Sequence, residues 1–158
     1  MNIRLLTPDD LPLLREFWIT HWGADFMIAH GETIRYDEVE GFVFGEWKGL
    51  ITFQVRGREC EVTSLDSLQE GKGIGTALVN EVLREAAKRH CRRLFLITTN
   101  DNLHALRFYQ KFGFELCALR RGAINETRKQ KPSIPLIGMN NIPLRDELEL
   151  EIKLTTEN

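Results

Sequence analysis

Hydrophobic positions along the chain follow two periods, and the changes between them mark out the elements. Residues 2–6 (NIRLL) read as a first strand. Thr7-Pro8-Asp9-Asp10 then has the chemistry of a helix start, with a capping hydroxyl, a proline for the first turn and an acid facing the dipole. That helix is expected to run to about Ile19 and to end at His21-Trp22-Gly23. Residues 21–38 keep no clean period and leave room for a short helix around 24–30. GFVFGEW (41–47) and LITFQVR (50–56) read as strands joined by a tight turn at Lys48-Gly49. ECEVTSL (59–65) continues this meander. Its alternation assigns Cys60, Val62 and Ser64 to one face and Glu59, Glu61, Thr63 and Leu65 to the other. From Ile74 to about His90 the apolar residues fall at helical spacing. RLFLITT (93–99) is a near-continuous apolar strand, as expected for a buried one. A second helical pattern runs from Asn102 to about Phe112 and stops at Gly113. FELCALR (114–120) and ELELEIKL (147–154) complete the strands, with an irregular stretch over 121–146 between them. A meander followed by β-α-β-α-β and a last strand predicts a mixed α/β or α+β domain.

The totals narrow the class. A chain of 158 residues, 42% hydrophobic and 28% charged, is expected to form one soluble globular domain over 1–158. A net charge of −2 offers nothing to nucleic acid. Cys60, Cys91 and Cys117 are odd in number and show no CxxC spacing, so a reducing, cytoplasmic setting is expected. No HxxxH or HxH pair occurs among the four histidines, and no metal site is expected. No apolar run approaches the ~20 residues of a membrane span. Charge is uneven, however: residues 84–131 hold 12 Lys/Arg against 4 Asp/Glu. Either this basic stretch and the acidic remainder meet different ligands, or both are solvated faces.

The candidate chemistry begins at EGKGIG (70–75), where three alternate glycines lead straight into a helix. Glycine inside a helix costs roughly 1 kcal/mol relative to alanine. At a helix start it lets the unpaired first-turn amides approach an anion closely. The GxxxxGK[ST] phosphate loop is absent, and the spacing does not fit the GxGxxG dinucleotide fingerprint. The glycines mark a phosphate or pyrophosphate site, or they only permit tight helix–strand packing.

NLHALRFYQKFGF (102–114) comes after the next strand, with Asn102, Ala105 three on and Tyr109 four after that. Taken with EGKGIG upstream, the chain resembles the GNAT superfamily of acyl-CoA-dependent N-acetyltransferases from strand 2–6 to strand 114–120, most strongly over 59–114. The resemblance implies a GNAT-like α/β (α+β) fold, with a mostly antiparallel sheet, a central splayed parallel pair and flanking helices. It implies acetyl-CoA as cosubstrate, its pyrophosphate cradled by the amides of Gly71, Lys72, Gly73, Ile74, Gly75 and Thr76. Glu70 stands where the family usually has Gln or Arg, so it is expected to point away. Pantetheine would lie along residues 63–67, with amides near Leu65 and Ser67 facing the thioester oxygen, and Asn102 would contact the cofactor further on. Tyr109 by its period alone reads as core, but with Asn102 and Ala105 at the matching spacing it matches the family's tyrosine near the thioester sulfur, which would protonate the departing thiolate.

The acceptor, a small-molecule or peptide amine, must lose a proton before it attacks. Glu61 is the first candidate base, with Glu59 and Asp66 beside it in sequence. His21, Trp22, His30 and Glu32 fall where the superfamily builds its acceptor wall. The long segment 125–143 reads as a lid, an acceptor wall or a contact in a homodimer, and Arg120, Arg121, Arg128, Lys129 and Lys131 read either as solvated charges or as partners for CoA phosphates. A non-catalytic acyl-CoA-binding module on the same fold, and a protein binding ATP or NAD at the glycine loop, are the two other readings.

Overall fold

The computed structural model describes residues 2–154. It contains nine strands, four helices and three single-turn 3-10 segments among those residues. The strands are β1 (Ile3–Leu5), β2 (Phe26–Ala29), β3 (Glu32–Arg35), β4 (Glu40–Phe44), β5 (Gly49–Arg56), β6 (Glu59–Ser67), β7 (Arg93–Thr99), β8 (Glu115–Arg120) and β9 (Glu147–Lys153). The helices are α1 (Leu11–Trp22), α2 (Ile74–Lys88), α3 (Leu103–Phe112) and α4 (Ala123–Gln130). Seven strands take the order β1-β4-β5-β6-β7-β9-β8 in a mixed, mostly antiparallel sheet with one parallel pair, flanked by helices. The chain divides into two compact units, one holding the residues up to Met27 with Ile34–Leu94, the other Ile28–Thr33 with Phe95–Ile152.

In the first unit β1, β4, β5 and β6 pair antiparallel in sequence. Arg4 grips both oxygens of Asp10 at 2.8 and 2.9 Å, and Asp10 also accepts the Thr7 N–H at 2.8 Å. The start of α1 is thereby fixed through Asp10, whose carboxyl the Arg4 guanidinium holds down at about 2. α1 runs to Trp22 and closes on Gly23 in the left-handed region at φ 81°, within the stop expected at His21-Trp22-Gly23. α2 packs on the sheet face that carries Gly49. A Cβ on Gly49 would sit 2.4 Å from Ile74 Cγ2, so only glycine allows this approach. Leu78, Val79, Val82 and Ala86 of α2 are fully buried, as are Ile51 and Phe53 of β5. Burial of each such large side chain is worth roughly 1.5–3 kcal/mol.

Three local expectations give way to a different arrangement. The short helix around 24–30 is absent, and a two-stranded sheet of β2 and β3 takes its place. His30 and Gly31 both have positive φ, 40° and 77°, which is the two-residue turn that suits a hairpin. Gly45–Lys48 rather than Lys48-Gly49 turns the chain between β4 and β5, with Gly45 and Trp47 both at positive φ. The third correction is a bulge in β6. Thr52 pairs with Ser64 but Phe53 pairs with Val62, leaving Thr63 as the extra residue. Alternation therefore breaks at Thr63: Ser64 leaves the Cys60–Val62 face and joins Glu59 and Glu61, while Leu65 joins Cys60 and Val62.

In the second unit β8 and β9 pair antiparallel, with Leu150 of β9 fully buried. The stretch 121–146, expected to be irregular, begins with the helix α4, which starts after Gly122 at φ 76°. Side chains hold the rest of that stretch in place. Asn100 Oδ1 accepts the N–H groups of Arg145 and Asp146 at 3.0 and 2.9 Å, and Asn100 Nδ2 donates to the Pro143 carbonyl at 2.8 Å. Buried Asp101 accepts the Met139 N–H at 2.8 Å. Arg128 donates to the carbonyls of Ile134, Pro135 and Leu144 and to Asn125 Oδ1.

Candidate active site

Residues 70–76 form the turn from β6 into α2. Gly71 and Gly73 both occupy the left-handed region, at φ 76° and 73°, where an L side chain is strained. Gly73 is the N-cap of α2, no side chain caps it, and no acid lies in its first turn. The first-turn amides thus keep their hydrogen-bonding capacity and the partial positive charge of the dipole. Ile74 sends its side chain into the core beneath Gly49, so only its backbone faces the turn. Lys72, Thr76 and Glu70 are exposed.

On β6 the bulge puts Glu61, Ser64 and Asp66 on one face, away from α2, and Leu65 and Ser67 on the other. Glu61 is 4% exposed and accepts from Gln54 Nε2 at 3.0 Å. Buried Thr52 shares its hydroxyl with Ser64 Oγ at 2.5 Å and Thr63 Oγ1 at 2.7 Å. At the end of the row the Trp22 indole donates from Nε1 to Asp66 Oδ2 at 3.0 Å. Burial pushes the Asp66 carboxyl above the ordinary aspartate range, against smaller opposing effects of the Trp22 hydrogen bond and of His21. His21 itself packs tilted against Phe17, with ring centroids 4.2 Å apart. Two expected acceptor-wall residues, His21 and Trp22, are therefore gathered around Asp66.

The second unit carries the other expected residues. Asn102 is the N-cap of α3, its Oδ1 accepting the Ala105 N–H at 3.1 Å. The Asn102–Ala105 spacing is that of a side-chain cap, which leaves the amide NH₂ for a ligand. Tyr109 is 7% exposed and is wedged edge-on between Phe108 and Phe114, at 5.2 and 5.3 Å. His30 and Glu32 meet at 3.9 Å, and the backbone N–H of His30 donates to buried Glu147 at 3.2 Å.

Of the bases read as solvated or phosphate-facing, Arg120, Arg128 and Lys129 have partners within the protein. Arg128 staples its own loop through four acceptors. Arg120 pairs with Glu149, and Lys129 with Glu126. Arg89 bridges Glu40 and Glu85, and Arg93 meets Glu59 at 2.6 Å. Much of the local cationic excess is thus spent on structure. Sequence reasoning passes over Gln54, Thr52 and Glu147, and sets Asp66 behind Glu61. The bulge explains the ranking of Asp66 behind Glu61, because strict alternation sends the two to opposite faces. No helix is long and apolar enough to cross a membrane among the described residues.

The model of the acetyltransferase (GNAT) family matches residues 10–114. The chain is 44% identical over 140 residues to YdhI, an uncharacterized protein of Bacillus subtilis strain 168, covering 86% of this chain and 88% of that one. It is 35% identical to the spermine/spermidine N(1)-acetyltransferase of the same organism over 52 residues, 32% of this chain and 34% of that one. The fold is shared with a Bacillus subtilis acetyltransferase crystallised in complex with CoA. The TM-score is 0.68 at 21% identity, across 98% of this chain and 99% of that one.

Proposed function

The chain belongs to the acetyltransferase (GNAT) family, and from that premise we propose that it transfers an acetyl group from acetyl-CoA directly to a primary amine in a ternary complex. The observation that carries this reading is the uncapped start of α2, entered through two left-handed glycines. Such a turn fits a pyrophosphate through the amides of Gly71, Lys72, Gly73, Ile74, Gly75 and Thr76. A carboxylate of the β6 row, Glu61 or Asp66, takes a proton from the acceptor ammonium. The free amine attacks the thioester carbonyl, forming the C–N bond, while amides near Leu65 and Ser67 face the oxygen that gains charge. The C–S bond breaks, and Tyr109 gives its proton to the departing thiolate and regains one from the acylated nitrogen. Asn102, through its amide NH₂, contacts the cofactor. Two aspects support a cationic alkylamine as acceptor: the carboxylates of β6, and the partial match to a spermine/spermidine acetyltransferase. The three free cysteines suit a reducing compartment such as the cytoplasm.

Thiol release from acetyl-CoA, read with a thiol reagent across a panel of alkylamines and arylamines, tests the reading. Amine-dependent release with acetylated product supports it. Acetyl-CoA binding without transfer to any amine would make the chain a binding module instead. Within an active enzyme, Tyr109→Phe is expected to lower kcat about 10- to 100-fold with acetyl-CoA affinity unchanged. Unchanged turnover would remove Tyr109 from proton transfer.

A further inference from the structure

We propose that Asp66, rather than Glu61, binds the acceptor's ammonium group and takes its first proton, and that the Trp22 indole positions it for this. The inference rests on the acetyltransferase reading and names the group that receives its acceptor.

Three observations place the role at Asp66. The bulge at Thr63 turns Asp66 onto the polar face shared with Glu61 and Ser64; a regular strand would have turned it toward the face covered by α2. On that face Glu61 is 4% exposed and already accepts from Gln54, so an amine arriving from water cannot reach it without opening the core. Asp66 is half-buried beside Trp22, which is 43% exposed. The indole N–H occupies only Oδ2, and Oδ1 has no hydrogen-bond partner among the described residues. One oxygen is therefore fixed and the other is left for a donor. A carboxylate with one oxygen anchored and one open is suited to an ammonium, which brings three N–H donors.

The groups facing Asp66 are His21 and Trp22 from α1 and, opposite on β5, apolar Leu50. None is a lysine or arginine that would neutralise it. Burial also raises its proton affinity, which brings a carboxylate closer to what a general base needs at neutral pH. Two protons leave the nitrogen during turnover. R–NH₃⁺ gives the first to Asp66, which returns it to water afterwards. The second departs as the amide forms and ends on the CoA sulfur.

The test compares Asp66→Asn with the wild type on two acceptors. Spermidine is protonated at neutral pH and must be deprotonated; p-anisidine carries a ring amine that is already neutral. With Asp66→Asn, kcat/KM is expected to fall about 100-fold or more for spermidine, while p-anisidine stays within about threefold and acetyl-CoA affinity is unchanged. Asp66→Glu is expected to restore part of the spermidine rate. Trp22→Phe removes the hydrogen bond that favours the ionised form, so the acidic limb of the spermidine pH profile should move to higher pH. The inference is overturned, with the enzyme reading intact, if Asp66→Asn keeps spermidine kcat/KM near wild type, if both amines lose equally, or if the wild type acetylates p-anisidine alone. A wild type that neither binds acetyl-CoA nor transfers to any amine overturns the enzyme reading and the inference together.

Discussion

Two aspartates of the same unit are driven in opposite directions by their neighbours. Asp10 is clamped by Arg4 and by the Thr7 N–H, and its carboxyl is held at about 2. Its folded-state proton affinity lies below the unfolded value, so its contribution to stability is present above pH 4 and fades as pH falls toward 2. With Arg4 half in solvent, that contribution is about 1–2 kcal/mol. Asp10→Asn is expected to lower Tm at pH 7 and to have little effect at pH 2, read by thermal melts at both. Asp66 behaves the other way. Burial raises its proton affinity above the unfolded value of 3.8, so the folded state loses stability as pH rises through that window and stays lowered at neutral pH. Asp66→Asn is therefore expected to melt higher than the wild type at pH 7, the opposite of Asp10→Asn. A stabilising substitution that removes activity toward a cationic amine is the pattern of a functional group held at a cost to the fold.

At the scale of elements, two glycines have separable tasks. Gly49→Ala would place a Cβ 2.4 Å from Ile74 Cγ2 and 3.2 Å from Leu78 Cδ1. It is expected to cost about 1–3 kcal/mol through overpacking, measured by denaturant unfolding. Gly73→Ala must hold φ 73°, a strain of about 1–2 kcal/mol. It also adds a methyl group at the proposed anion turn, so acetyl-CoA affinity is expected to fall about tenfold or more by calorimetry. The elements legible from sequence are those with an uninterrupted period: α2, β7, α3 and β9 lie where their spacing places them. The hairpin of β2 and β3 is hidden because His30 takes a left-handed turn position where asparagine is the usual signal. The bulge is hidden because nothing in ECEVTSL distinguishes an extra residue from a regular one. Its consequence is local but decisive, since it sets which carboxylates share a face.

For the whole molecule, the family pattern is legible because two short motifs lie in order on the right elements, a glycine turn into α2 and an asparagine-capped α3. The capping bond from Ala105 to Asn102 gives that second motif its physical basis. The charge map is less legible. The excess of bases over 84–131 reads either as a ligand-facing surface or as a solvated face, yet Arg89, Arg93, Arg120 and Arg128 are committed to glutamates or loop carbonyls. Arg128 and Asp101 also turn a segment that reads as unstructured into a pinned loop. Arg128→Ala is expected to loosen it, seen as faster amide exchange over 132–146, because four acceptors lose their donor.

The proposed transfer depends first on the glycine turn into α2 holding the pyrophosphate of an acyl-CoA. Calorimetric titration with acetyl-CoA, with CoA, ATP and NAD alongside, tests it most directly. Tight binding of acetyl-CoA and CoA is expected, at about micromolar Kd, a free energy of about −8 kcal/mol, with ATP and NAD far weaker. Absent CoA binding, or ATP binding of equal strength, would contradict it.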